Sequence, residues 1–259
     1  MNFITKKLNH LLKSLEPISY PSLINSFIYL IIPLLVLLIL NKKIDFLPYI
    51  PSLYIKILIS LFGATYAYKD LSPYIRNVVN FKTTLKVSAK LMVLYGIFIF
   101  IALFFTGDDP QNIKNLNLSN KEYFLHILEL PFTAIGEEVM KALMLFALLK
   151  VFKPFNNFNI PIAILISSAI FGLLHINYNY DNAIKIIFAI GFTSIPDSLY
   201  FLKYKSIYPL IIVHFIADFL ALSNISQNFS LIVTLAQLSM LLAIIFFIPI
   251  SFFFNKKNN

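Results

Sequence analysis

Acidic and imidazole side chains interrupt three of the most apolar stretches of this sequence. Glu137 and Glu138 are adjacent in one stretch, and His175 ends a second. A third stretch contains His214 and Asp218. A carboxylate can take a proton from water as a general base, and an imidazole can orient that water or stabilise an oxyanion. Together these groups suffice to activate water for attack on an amide bond.

The spacing and the missing residue types narrow the chemistry further. His214 and Asp218 are four residues apart, so on a helix they share a face and the acid can orient the imidazole. The chain has no cysteine, and the zinc-protease string His-Glu-x-x-His does not occur. No serine with a paired base is apparent. Two histidines with carboxylates leave a zinc-dependent site and a metal-free site both open.

The composition indicates that these apolar stretches are membrane-spanning helices. Of the 259 residues, 59% are hydrophobic and only 13% are charged, with a mean hydropathy of +0.80. A soluble domain carries roughly 25% charged residues, so this much apolar surface needs lipid as its solvent. We therefore predict an all-α fold, a polytopic membrane bundle of about eight transmembrane helices.

The predicted spans follow the apolar runs, and most approach the ~20 residues that cross the hydrocarbon layer. We divide the chain into an amphipathic N-terminal segment that we predict to be an interfacial helix (1–22), N-terminal spans (23–122), a core that holds the polar residues (123–223) and a final span with its tail (224–259). The predicted spans are Leu23–Leu40, Phe46–Tyr68, Lys90–Phe105, Tyr123–Leu149, Ile160–Ile176, Ala183–Leu202, Ser206–Ser223 and Ser230–Phe254.

The distribution of lysines predicts the orientation. The net charge is +9, and in the eight-span arrangement most basic residues between spans lie on the side of both termini. The positive-inside rule assigns that side to the cytoplasm. We predict a multi-pass protein of the cell membrane with both termini cytoplasmic and the lipid bilayer as a partner. A nucleic-acid partner is not expected, because no basic stripe lies on a soluble element.

Helical geometry places the polar side chains at similar depths in the membrane. From the ends of their spans, Glu137 and Asp218 lie roughly 18 Å deep, His175 roughly 22 Å and His214 roughly 12 Å. An ionisable group at the bilayer centre costs roughly 2.5–3.5 kcal/mol, so such groups persist mainly where they pair or function. We expect the three helices to form one buried polar site.

Three strings, in this order, resemble the motifs of the CPBP family of intramembrane proteases. That family includes the type II CAAX prenyl endopeptidases and bacterial relatives linked to bacteriocin processing and immunity. The resemblance covers about 123–223. Apart from one arginine, the motifs Glu-Glu-x-x-x-Arg, Phe-x-x-x-His and His-x-x-x-Asn/Asp are matched at Glu137-Glu138, Phe171–His175 and His214–Asp218.

The resemblance implies an eight-helix endopeptidase whose core is residues 123–223. It implies that Glu137 and His175 activate the attacking water, and that His214 and Asp218 stabilise the oxyanion or hold the site. Glu138 would support the first motif. The substrate class implied is a membrane-associated or secreted peptide or protein. A divalent metal such as zinc and a metal-independent glutamate mechanism are both compatible with the family pattern.

One position departs from that pattern, because Ala142 stands where the family has arginine. Lys141 lies four residues after Glu137, so those two can form an ion pair that would weaken Glu137 as a base. The alternative function is therefore a catalytically impaired relative that binds a peptide or acts in bacteriocin immunity. A purely structural alternative is a helix-packing hydrogen bond between His214 and Asp218.

The remaining polar residues of the apolar runs are interpreted structurally. Asp197 follows Pro196 and is expected to mark a kink with a satisfied carboxylate rather than a catalytic group. His126 and Glu129 are expected near lipid headgroups. Lys56 falls within the second span. A proton-coupled carrier is a further alternative, since acids near the midplane also mark ion pathways, but the sequence shows no inverted halves.

Overall fold

The computed structural model describes residues 12–40, 52–77, 80–107, 119–176 and 182–223. This described part is α-helical and contains no strand, which confirms the all-α prediction. A short 3-10 segment, Lys153–Phe158, connects the fifth and sixth helices. The helices are α1 Leu23–Leu40, α2 Ser52–Ala64, α3 Tyr68–Arg76, α4 Phe81–Thr106, α5 Asn120–Val151, α6 Asn159–Leu173, α7 Ala183–Tyr204 and α8 Tyr208–Ser223.

The 32-residue helix α5 lies at the centre of the bundle. Helices α1, α2, α6 and α8 pack against it, and its residues from Val139 to Leu149 are all buried. Its first turn is closed by a capping box between Ser119 and Glu122, which satisfies two backbone amides that would otherwise lack partners. A charged side chain on the enclosed part of this helix therefore needs a partner of opposite charge or a hydrogen bond.

Glycines allow α6 and α7 to approach each other closely. A Cβ atom added at Gly172 would overlap the carbonyl oxygen of Ile187, and one at Gly191 would lie 2.8 Å from the carbonyl oxygen of Ser168. Small residues let helix backbones come into contact in this manner in membrane bundles. The crossing holds the C-terminal end of α6 against α7, three residues before His175.

Two of the described helices, α4 and α7, are long and apolar enough to cross a membrane, with hydropathies of 2.3 and 1.3. Large apolar side chains are exposed along α1 and α4, among them Phe27, Ile31, Phe100 and Phe104. The predicted count of eight spans is not confirmed by these two helices. The eighth predicted span, Ser230–Phe254, lies outside the described residues.

The second predicted span ends earlier than expected, and its predicted start at Phe46 lies outside the described residues. In place of Phe46–Tyr68, the structure has α2 ending at Ala64, and α3 begins at Tyr68 after a turn. Helix α3 is amphipathic: it buries Leu71 and Tyr74 and carries Asp70 in its first turn. Its polar residues mark it as an amphipathic helix distinct from the apolar α2.

Two other predicted boundaries also differ. The third span was predicted to start at Lys90 or nearer Leu85, whereas α4 begins at Phe81. There the Asn80 side chain accepts a hydrogen bond from the Lys82 amide. The amphipathic segment 1–22 was predicted as one helix, but residues 16–22 are not helical. Pro17 and Pro21 account for this, because proline cannot donate within a helix; residues 1–11 lie outside the described part.

Candidate active site

Glu137 and Glu138 are neighbours on α5, yet they face different partners. Successive residues on a helix point about 100° apart. The Glu137 side chain is 15% exposed, whereas that of Glu138 is fully buried. The two carboxylates therefore occupy distinct positions, one at the edge of the polar site and one behind it.

The carboxylate of Glu137 faces the two histidines. Its Oε2 atom lies 3.6 Å from Nε2 of His175 and 3.5 Å from Nε2 of His214. Both distances exceed those of a direct N–H···O hydrogen bond. The three side chains come from α5, from the residues just after α6, and from α8. This convergence is the arrangement expected from the depths of the three motifs.

His175 lies two residues beyond the end of α6, where its ring is fixed by local contacts. Its Nδ1 atom is 2.9 Å from the carbonyl oxygen of Phe171, which can only accept, so Nδ1 carries the proton in this contact. The ring also packs edge-on against the Phe171 ring, with centroids 4.8 Å apart. In the neutral tautomer this leaves the Nε2 lone pair directed toward Glu137.

His214 lies among three carboxylates. Its Nδ1 atom is 2.6 Å from Oε1 of Glu138, while its Nε2 atom is 3.3 Å from Oδ2 of Asp218. As predicted from their spacing, His214 and Asp218 share one face of α8. Since an ionised carboxylate only accepts, Glu138 holds the proton on Nδ1 and orients Nε2 toward Glu137 and Asp218.

Lys141 forms a different ion pair from the one that the sequence suggested. Its Nζ atom lies 2.5 Å from Oε1 of Glu138 and 2.7 Å from Oδ2 of Asp197, and it also lies over the Phe171 ring, 4.7 Å from the centroid. The suggested pair with Glu137 is wrong: three residues of helix bring Lys141 to the face of Glu138. Lys141 therefore does not neutralise Glu137.

These contacts connect four side chains across the bundle. Asp197 on α7 binds Lys141, Lys141 binds Glu138, and Glu138 binds His214 on α8. Glu138 Oε1 accepts from both partners, whereas its buried Oε2 has no hydrogen-bond partner among the described residues. As expected, the carboxylate of Asp197 has a partner, because Lys141 donates to it. Asp197 lies within the continuous helix α7.

Besides Lys141, two charged residues in contact with this site or its network were not among the predicted site residues. Asp197 was interpreted as structural, and Lys56 was noted only as a charge within an apolar span. Lys56 on α2 places Nζ 3.9 Å from Oε1 of Glu137 and donates to Thr133 Oγ1 at 2.9 Å. The available signal was the same as for the histidines, namely an ionisable residue in an apolar helix, which needs a partner.

The histidines and carboxylates in the described part of the chain do not converge as a metal-binding group. Among the described residues, no group of three or more His, Asp and Glu side chains is arranged to hold a metal ion. One nitrogen of each histidine is already engaged, His175 Nδ1 by Phe171 and His214 Nδ1 by Glu138.

Comparison with known families agrees with the motif resemblance. Residues 119–220 match the family described as Type II CAAX prenyl endopeptidase Rce1-like, which confirms the predicted resemblance for this segment. The match covers less than half of the chain and includes all five predicted site residues. The family consists of membrane proteases. No curated protein and no solved structure matches this chain.

Proposed function

We propose that this protein is an intramembrane endopeptidase that hydrolyses a peptide bond with water activated by Glu137 and His175. The observation that carries the proposal is the convergence of Glu137 Oε2 with Nε2 of His175 and of His214, at 3.6 and 3.5 Å. The match of residues 119–220 to a protease family supports it independently.

The reaction follows from the orientation of these groups. A water molecule that donates to Glu137 Oε2 and to the Nε2 lone pair of His175 presents its oxygen to a peptide carbonyl. As that oxygen adds to the carbonyl carbon, Glu137 takes the proton. When the C–N bond breaks, Glu137 returns the proton to the leaving nitrogen.

His214 is suited to stabilise the negative charge that develops on the carbonyl oxygen. Its imidazolium form, between Glu138 and Asp218, can donate Nε2–H to the oxyanion. Glu138 acts behind it as a positioning residue, because its contact with Nδ1 sets the ring orientation. The roles of Glu137, Glu138, His175, His214 and Asp218 are part of this proposal.

The proposal includes a location and a substrate class. The exposed apolar side chains of α1 and α4 support a multi-pass protein of the cell membrane, with both termini in the cytoplasm by the positive-inside rule. The substrate would be a membrane-associated or secreted peptide, because the site lies among apolar helices.

A cleavage assay tests this function. Purified protein in detergent is incubated with a library of quenched fluorescent peptides, beside Glu137→Ala, His214→Ala and the control Glu129→Gln on the same helix. We expect cleavage by the wild type and the control and loss of at least about 100-fold in both site variants. Parallel reactions with a chelator report on a metal requirement. Full activity of Glu137→Ala would contradict the mechanism.

The alternative is a non-catalytic protein that binds a membrane peptide. It was suggested by Ala142 and by a Glu137–Lys141 pair, and the pairing of Lys141 with Glu138 and Asp197 removes the second reason. Folded wild type that binds but does not cleave any peptide, with binding retained in Glu137→Gln, would favour this alternative.

A further inference from the structure

A lysine from outside the matched segment contacts the proposed general base. Lys56 belongs to α2, whereas Glu137 belongs to α5, and the Lys56 Nζ to Glu137 Oε1 distance is 3.9 Å. The other carboxylate oxygen, Oε2, faces His175 and His214. The two oxygens of Glu137 therefore have different surroundings, an ammonium on one side and two imidazoles on the other.

Thr133 holds the lysine head group in this position. The Lys56 ammonium donates to Thr133 Oγ1 at 2.9 Å. The Thr133 hydroxyl proton is already committed, because it donates to the carbonyl oxygen of Glu129 at 3.1 Å, so its oxygen accepts from the lysine. Thr133 lies four residues before Glu137 and thus on the same face of α5. Lys56 therefore bridges two consecutive turns of α5.

The backbone of α2 is also held at this point. A Cβ atom added at Gly136 would lie 2.7 Å from the carbonyl oxygen of Lys56 and 3.2 Å from its Cα atom. The absence of a side chain at position 136 lets the two helices touch beside Glu137. Seven residues further along α2, a Cβ atom added at Gly63 would lie 2.5 Å from a side-chain atom of Val139 on α5. Backbone contact and side-chain hydrogen bond together define where the ammonium lies.

We propose that Lys56 is a positioning residue of the active site, which holds Glu137 through Oε1 so that Oε2 stays directed toward the two histidines. The proposal rests on the proposed endopeptidase function and adds to the site a helix that the motifs do not include. Packing of α2 on α5 through glycines needs no charge, and an ammonium in an apolar helix is costly unless it is compensated. Its compensation is the carboxylate that performs the chemistry.

Kinetics of three variants test this role. Lys56→Met keeps the length of the side chain without its charge, Lys56→Arg keeps the charge, and Lys90→Met removes an exposed lysine of α4 as the control. We expect kcat to fall about ten- to a hundredfold in Lys56→Met with little change in KM, because the base is misplaced rather than the substrate lost. Lys56→Arg should recover most of kcat, and Lys90→Met should match the wild type.

Either of two kinetic results would overturn the proposal: wild-type kcat in Lys56→Met, or an equal loss of kcat in Lys56→Met and Lys56→Arg. The first would show that the charge is dispensable. The second would assign the effect to packing of the side chain.

A measurement that does not depend on activity separates this inference from the proposed function. Thermal unfolding is measured for Lys56→Met, Glu137→Gln and the double variant. If the two side chains interact, the double variant should lose less in Tm than the sum of the single losses, by about 2 °C or more. Additive losses would overturn the contact. Non-additive losses in a protein that cleaves no peptide would sustain the contact and reject the endopeptidase function.

Discussion

At the scale of single residues, the site is defined by which carboxylate each cation binds. Lys141 binds Glu138 and Asp197, so it acts behind His214 and away from Glu137. Lys141 is next in sequence to position 142, where the family pattern has an arginine. The loss of that arginine does not leave Glu138 without a cation, and the ordered series Asp197, Lys141, Glu138 orients His214 from the interior.

Removing the charge of Lys141 should destabilise the fold. Lys141→Met removes the cation that pairs with the carboxylates of Glu138 and Asp197, whose side chains are 0% and 10% exposed. Breaking a buried pair in this way costs about 3–5 kcal/mol. We expect a clear drop in Tm by circular dichroism in detergent. Adding Asp197→Leu should recover part of the loss, because Glu138 keeps its contact with His214. An unchanged Tm in Lys141→Met would show that the network does not contribute to stability.

At the scale of elements, the α6–α7 crossing determines where His175 is placed. The histidine lies two residues beyond the end of α6, and Gly172 and Gly191 allow that end to contact α7. The Phe171 carbonyl then fixes the imidazole itself. Any separation of the two helices therefore moves His175 relative to Glu137, which is held independently on α5.

A single methyl group at this crossing should impair both stability and cleavage. In Gly172→Ala the new Cβ meets backbone atoms of Ile187 and Gly191, which cannot move aside as a side chain can. We expect a destabilisation of about 1–3 kcal/mol and a fall in kcat.

The matched control for this substitution is Gly96→Ala in α4, where an added Cβ has no neighbour within 4 Å. It should leave kcat unchanged and leave stability unchanged or higher by up to ~1 kcal/mol, since alanine favours a helix. Equal effects of the two substitutions on Tm and kcat would argue against a special role of the α6–α7 contact.

At the scale of the whole molecule, orientation in the membrane can be tested directly because the chain has no cysteine. Lys153 lies in the 3-10 segment after α5, and Asn182 precedes α7. If both termini are cytoplasmic, these positions lie on opposite sides. A membrane-impermeant maleimide should label Asn182→Cys on intact cells, and Lys153→Cys only after permeabilisation. The reverse order would invert the orientation, and equal labelling on intact cells would contradict a crossing by α6.

Much of the helical architecture was predictable because apolar runs and helices coincide in this chain. The predicted span Leu23–Leu40 is helix α1, and the predicted start of the sixth span, Ala183, is the start of α7. Boundaries failed where polarity alone was a poor guide, as at the division between α2 and α3. The predicted number of spans depends on segments that include residues outside the described part.

The sequence by itself determined which chemical groups this protein can use. Glu137, His175 and His214 stand out because an ionisable side chain in an apolar helix is costly and persists mainly where it pairs or functions. Their order along the chain also matches the motifs of a protease family. Only the tertiary structure decided the pairing. Lys141 pairs with Glu138 on its own helix and with Asp197 on α7. Lys56 on α2 pairs with Glu137 on α5. Spacing along one helix allowed Lys141 to reach either Glu137 or Glu138. The contacts of Lys141 with Asp197 and of Lys56 with Glu137 depend on how neighbouring helices pack.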